Sequence, residues 1–229
     1  MKILNRPALG VRLLRHPQGH IYQGFGESKA LYAASVCIDA ERKVCMVGGH
    51  NGIDIAMNEG TPILASKGKV VDVKDSPNGY GKHVRILTYA DPLDGAGTRY
   101  ELTYGHLKNI NVALGMEVTD GQQIGTMGNT GFVISGSTPY WGNAPAGKGV
   151  HLHFGVRRLW PEGPGTIVIY PTGDRGIIDS YNNGTFGNID PMPFFNFDEE
   201  ASYLSKVAYS LAIRLRDMLQ AAINNLMKK

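Results

Sequence analysis

The sequence predicts a mainly β domain of antiparallel strands, followed by a long C-terminal α-helix. Three observations predict it. Glycine is abundant, 30 of 229 residues, and gathers in turn clusters such as "SPNGYG", which punctuate short strands rather than helices. Between about residues 48 and 170 the apolar residues alternate or run in short blocks, without a helical period of useful length. From residue 197 the pattern changes to apolar residues recurring at three and four, the spacing of one helix stripe.

Residues 1–20 form an N-terminal arm, residues 21–196 the β domain and residues 197–229 the helix. "TPILASKGKVVDVK" carries two apolar stretches broken at "SKG", the form of a hairpin. "KHVRILTY", "TRYELTYGHL", "MEVTDGQQIGTMG" and "VHLHFGV" continue as strands, and residues 129–149 form a Gly/Pro/Ser/Thr-rich loop. A loop of that length inside a compact domain is usually a functional wall or lid. After it, "TIVIY" is a strand within an excursion of turns. In the tail, Leu204, Val207, Leu211, Leu215, Met218 and Ala222 make the stripe, with Asp198, Glu199 and Glu200 at its start and two lysines at its end, charges that suit the helix dipole. A helix of about 30 residues is roughly 45 Å long. It either lies on its own domain or overhangs it as a helix for self-association into a homo-oligomer.

Composition bounds the function. Hydrophobic residues are 42% and charged residues 19% of the chain, a globular composition rather than a disordered one. A net charge of +3 is too weak to argue nucleic-acid binding. No run of apolar residues is long enough for an integral membrane span. Arg6, Pro7, Arg12 and Arg15 interrupt any signal-peptide core, so no secretory signal is visible and the export route is open. Cys37 and Cys45, in "VCIDAERKVC", either bridge across a turn or stay as two buried thiols; spacing alone does not decide.

The chemistry sits in "GVHLHFGV", residues 149–156. In a strand, residues i and i+2 share a face, so His151 and His153 look one way and Leu152 and Phe154 look into a core. In "GGHNGIDIA", His50 and Asp54 are four apart among glycines and β-branched residues that oppose a helix; a turn running into a strand would converge them instead. Each motif alone is weak. Together they offer imidazoles and one carboxylate, the donor set of a catalytic zinc site with a position left for water. Only one histidine of the His-x-His pair need bind metal, which frees the other as a base or oxyanion partner. His106, in "YGHL", reads as ending a strand before a turn, either an exposed loop residue or a further imidazole facing the site.

In this order, "FG" (25–26), "GHNGIDIA" (49–56), "GTPILASKGKVVDV" (60–73), "GYGKHVRI" (79–86), "YGHL" (104–107), "VTDGQQIGTMGNTG" (118–131), "HLHF" (151–154) and "NIDPMPFF" (188–195) resemble the lysostaphin/LytM family of zinc endopeptidases. The resemblance implies that family's duplicated hybrid motif fold, an antiparallel β-sheet groove closed by loops. It also implies one zinc ion held by His50, Asp54 and His153. His151 matches the catalytic base, and His106 the second catalytic histidine that polarises water or stabilises the oxyanion. The implied substrates are peptidoglycan stem or cross-bridge peptides, so the chain would act at the cell wall. Three departures stand out: the loop before "HLHF" is long, with Tyr140 and Trp141 expected to line the groove, the excursion after it is extra, and no wall-binding repeat of the SH3 type is recognisable. The alternative is a non-catalytic LytM-like module that binds wall or activates an amidase.

Overall fold

The computed structural model describes residues 20–35, 37–39, 44–90 and 97–192. In chain order the elements are β1 (His20–Gln23), α1 (Lys29–Ser35), β2 (Cys37–Asp39), β3 (Val44–Cys45), β4 (Ile53–Ala56), β5 (Pro62–Leu64), β6 (Gly68–Ser76), β7 (Gly81–Leu87) and β8 (Arg99–Ile110). They continue with β9 (Glu117–Val118), β10 (Gln123–Met127), β11 (Val133–Ser135), β12 (Thr138–Tyr140), β13 (Leu152–Leu159), β14 (Thr166–Ile169), β15 (Arg175–Ile178) and β16 (Asn188–Ile189).

Ten strands form one sheet, with the path β1-β4-β13-β8-β7-β6-β9; β10 joins β8 and β5, and β16 joins β13. The paired strands run antiparallel, β13 against β8 over His153–Leu159 among them. The strands are rich in β-branched and aromatic residues at alternate positions, and the alternation selects the buried face. Leu152, Phe154 and Val156 of β13, Leu102 and Tyr104 of β8, and Val84 and Ile86 of β7 fill one core, each 0–2% exposed. The opposite face carries His153, Gly155 and Arg157 of β13 beside Gly105, Thr103 and Glu101 of β8. Glycines at two of those six positions keep that floor low, and it is the floor of a groove.

Three sequence expectations meet different outcomes. "TPILASKGKVVDVK" is not a hairpin: β5 pairs with β10, and β6 pairs with β7 and β9. Apolar runs set which segments become strands, but the partner of β5 lies far along the chain, and β6 folds instead onto the next strand across the "SPNGYG" turn. The "TIVIY" strand is β14, paired with β15, and this excursion packs through Tyr170 and Ile178 onto Leu159, Val71 and Leu87 as a second core. In the cysteine segment, β2 and β3 pair with Cys37 opposite Cys45. The expected helix over residues 197–229 and the arm before His20 lie outside the described residues. No described helix is long and apolar enough to cross a membrane.

Candidate metal centre

His50 sits in the turn ahead of β4, and Asp54 is the second residue of β4. The turn is shaped by Gly49, whose φ of +90° lies in the left-handed region and whose Cβ would stand 2.5 Å from Gly26 O; only glycine fits there. Its neighbours are stitched to the chain before α1, with His50 N–H donating to Glu27 O (2.8 Å) and Gly26 N–H to His50 O (2.8 Å). β13 pairs with β4 so that His153 is opposite Asp54. A turn, a strand and its neighbour thus deliver three donors to one point.

His50 Nε2 lies 3.0 Å from His153 Nδ1 and 3.2 Å from Asp54 Oδ1, and His153 Nδ1 is 3.1 Å from the same oxygen. All three residues are buried, at 1–3% exposure. Tetrahedral zinc with bonds near 2.0–2.1 Å separates its ligand atoms by about 3.3 Å, which these spacings fit. His50 Nδ1 faces Gly24 O at 3.3 Å. A carbonyl can only accept, so Nδ1 carries the proton and Nε2 presents its lone pair. Asp54 is ionised: burial pushes its pKa up, but His151 and the contacts with His153 and His50 outweigh this and hold it well below the usual range. Burial first, opposed by the Asp54 contact and reinforced by competition with His50 and His151 for protons, takes His153 down to about 4, so it is neutral at pH 7. His50 Nε2, His153 Nδ1 and Asp54 Oδ1 therefore close on one point with at most one proton, on His153 Nδ1, to share among them, a donor set that a cation completes.

The second oxygen, Asp54 Oδ2, accepts a long bond from the Tyr22 hydroxyl of β1 at 3.4 Å. Burial, reinforced by the Asp54 charge, pushes that phenol's pKa up, so it remains a donor. Tyr32 of α1 stacks on His50 with ring centroids 5.3 Å apart. On the other side Tyr80 lies tilted over His153 at 4.8 Å and accepts a hydrogen bond from Asn51 Nδ2 at 2.5 Å. Such partners hold the ligands in orientation.

His151 and His106 stand beside the triad with ring centroids 4.4 Å apart. His151 Nδ1 donates to Gly149 O (2.8 Å), leaving Nε2 facing the site 3.6 Å from Asp54 Oδ1. His106 Nδ1 donates to Thr130 O (2.7 Å). Burial, then repulsion from His151 and His153, depresses the His106 pKa well below its ordinary value and keeps the ring neutral. His106 does not end a strand as expected; it lies within β8. Alternation would put it on the core side with Tyr104, but the register against β7 slips between Val84 and Lys82, and His106 takes φ +59°. A bulge re-aims a side chain in this way.

All five histidine and aspartate positions named from the sequence line one cavity of about 740 Å³. Its apolar wall comes from Phe132, Val133 and Ile134 at the β11–β12 hairpin; the expected Tyr140 and Trp141 do not line it, and Trp141 instead packs on Phe132 at 5.4 Å. The loop is pinned by Asn129, whose Nδ2 donates to Pro145 O and Lys148 O, each at 2.9 Å. Sequence reading missed Tyr22, Tyr32, Tyr80 and Asn51. Only Asn51, beside His50 and among glycines, carried a local signal.

Comparison with known proteins fits this arrangement. Lysostaphin of Staphylococcus simulans is 32% identical over 148 residues, covering 64% of this chain and 21% of its own. The peptidoglycan DD-endopeptidase ShyA of Vibrio cholerae is 29% identical, covering 67% of this chain and 34% of its own. The chain therefore spans about a fifth to a third of these relatives. Among solved structures, the catalytic domain of lysostaphin is 29% identical, covering 65% of this chain and 80% of that one, at a TM-score of 0.40. The family model described as Peptidase family M23 matches residues 48–165. That stretch is just over half of the chain and runs from the turn before His50 to past the His-x-His strand, and on it the chain belongs to peptidase family M23.

Proposed function

We propose that the chain is a zinc-dependent endopeptidase hydrolysing peptide bonds in the stem or cross-bridge peptides of bacterial peptidoglycan, outside the cytoplasm. The observation that carries this is the convergence of His50 Nε2, Asp54 Oδ1 and His153 Nδ1 within 3.0–3.2 Å of one another, with two further imidazoles facing the same cavity. Relatives named lysostaphin and DD-endopeptidase support the substrate class. We assign the peptidase domain to residues 21–196.

His50, Asp54 and His153 would hold the ion. Zinc, when bound, lowers the pKa of water and polarises a carbonyl. The nearby imidazoles move the protons. His151 Nε2, a bare lone pair because Nδ1–H is spent on Gly149 O, takes a proton from the attacking water as its oxygen bonds to the carbonyl carbon. The same nitrogen returns that proton to the leaving amine as the C–N bond breaks. His106 presents Nε2 likewise, its own N–H committed to Thr130 O. In the resting state it therefore accepts a hydrogen bond from water, and it becomes a donor to the oxyanion only on protonation.

The test is metal content and wall clearing by the purified protein and two variants. His153→Ala is expected to lose stoichiometric zinc and all clearing. His106→Ala is expected to keep zinc and to slow clearing by about 10²–10⁴-fold. A zinc-free His153→Ala protein that still clears walls refutes the proposal, and wild type that binds zinc without clearing walls favours the non-catalytic module.

A further inference from the structure

We propose that Arg85 and Arg157 form a carboxylate-binding subsite in the groove, and that the peptide cleaved carries a free carboxylate two to four residues from the scissile bond. The inference rests on the peptidase reading above and extends it to substrate chemistry.

Both arginines line the cavity that holds the metal centre. Arg157 shares the groove face of β13 with His153, four residues along, and Arg85 of β7 is level with Thr103, itself opposite Gly155. At ~3.3 Å per extended residue, these positions lie roughly 7 and 13 Å along the floor. An extended substrate covers that span in two to four residues.

The charges there do not close among the described residues. Glu101, 1% exposed, is shared between Arg157 Nη1 at 3.2 Å and Arg85 Nε at 3.8 Å. Asp72 is shared between Lys74 at 3.2 Å and Arg85 at 3.9 Å. Lys74 is 56% exposed and solvated, so the buried balance is two guanidiniums on the one carboxylate of Glu101, with Asp72 reaching Arg85 only at 3.9 Å. Arg157 is only 7% exposed, yet its Nε, like that of Arg85, makes no hydrogen bond. The Nε atoms themselves are enclosed, so a second anion in the groove would meet the Nη nitrogens, where it offsets part of the cost of a buried, incompletely paired cation. Tyr170, on the excursion after β13, hydrogen-bonds Glu101 and holds the resident carboxylate at the back of the cluster. The planar fork of a guanidinium matches a carboxylate, which a peptide supplies from an acidic side chain, a branch or its C-terminus.

The probes are cross-linked muropeptides in two free-acid and amide pairs, one differing at an internal carboxyl and the other at the C-terminal carboxyl. Wild type is expected to favour the acid of one pair by about 10-fold or more in kcat/KM, and that pair identifies the source of the carboxylate. The preference should fall toward one in Arg85→Gln and in Arg157→Gln, chiefly through KM, and survive in part in Arg85→Lys. Arg85 is the more exposed of the two, at 19% of its side chain, so Arg85→Gln keeps the test open if Arg157→Gln fails to fold. Wild type cleaving both members of both pairs within twofold overturns the subsite, as does a preference that survives both glutamine variants. If no peptide is cleaved, the peptidase reading fails and calorimetry judges the subsite separately: acid bound about 10-fold tighter than amide supports it, and equal binding overturns it.

Discussion

Replacing Gly52 by alanine sets a methyl carbon 2.5 Å from Phe154 O, 2.7 Å from His153 Cε1 and 2.8 Å from His153 Nε2. Gly52 does not adopt a left-handed φ, so the backbone accepts alanine and the cost is steric alone. Carbon atoms rest about 3.5–4.0 Å apart, so the imidazole has to retreat by roughly 0.8 Å, and the 2.5 Å approach to the Phe154 carbonyl makes the strand give way as well. Ligand distances in a metal site tolerate only about ±0.2 Å. Overpacking of this kind costs about 1–3 kcal/mol of stability, and misorienting a ligand costs about 10–100-fold in metal affinity. Gly52→Ala is therefore expected to fold, to melt earlier and to bind zinc about 10–100-fold more weakly with every ligand intact. Competition of the zinc-free protein against a chromophoric chelator measures the affinity, and thermal unfolding reports the fold. Gly79→Ala is the control, because its Cβ would find nothing nearer than 3.9 Å. A folded Gly52→Ala protein binding zinc within twofold of wild type refutes the argument that this glycine sets the His153 ring.

Burial pushes the Glu101 carboxyl up, but Arg157 and Arg85 outweigh it and bring its folded pKa below the ordinary 4.5. The unfolded state therefore takes the proton first as pH falls. The stability that Glu101 contributes is complete above about pH 4.5 and is lost as pH drops through the lower folded pKa. Urea midpoints of metal-free wild type and Glu101→Gln are expected to converge as pH falls below about 4.5; a constant gap counts against this.

The parts of the site legible in the sequence were those carried by local periodicity. His151 and His153 declared themselves because a two-residue spacing inside an apolar strand leaves them one shared face. His50 and Asp54 did so because glycines and isoleucines ruled out a helix. The direction of His106 was not legible, since it depends on a bulge and a left-handed φ that reverse the alternation. Arg85, Arg157 and Glu101 resemble the solvent face of ordinary strands; only the packing of Tyr170 and β15 across that end shows them enclosed. Pairing failed at "SKG" for a related reason: β5 takes the distant β10, while β6 turns at "SPNGYG" onto the next strand, β7.

The bracing of the donors by β1 and α1 has a practical consequence for domain exchange. The family match begins at residue 48, yet Gly24, Glu27 and Tyr22 secure His50 and Asp54 from upstream. A chimaera spliced at residue 48 would inherit every ligand and lose the scaffolding that aims two of them, so a functional graft has to begin no later than His20.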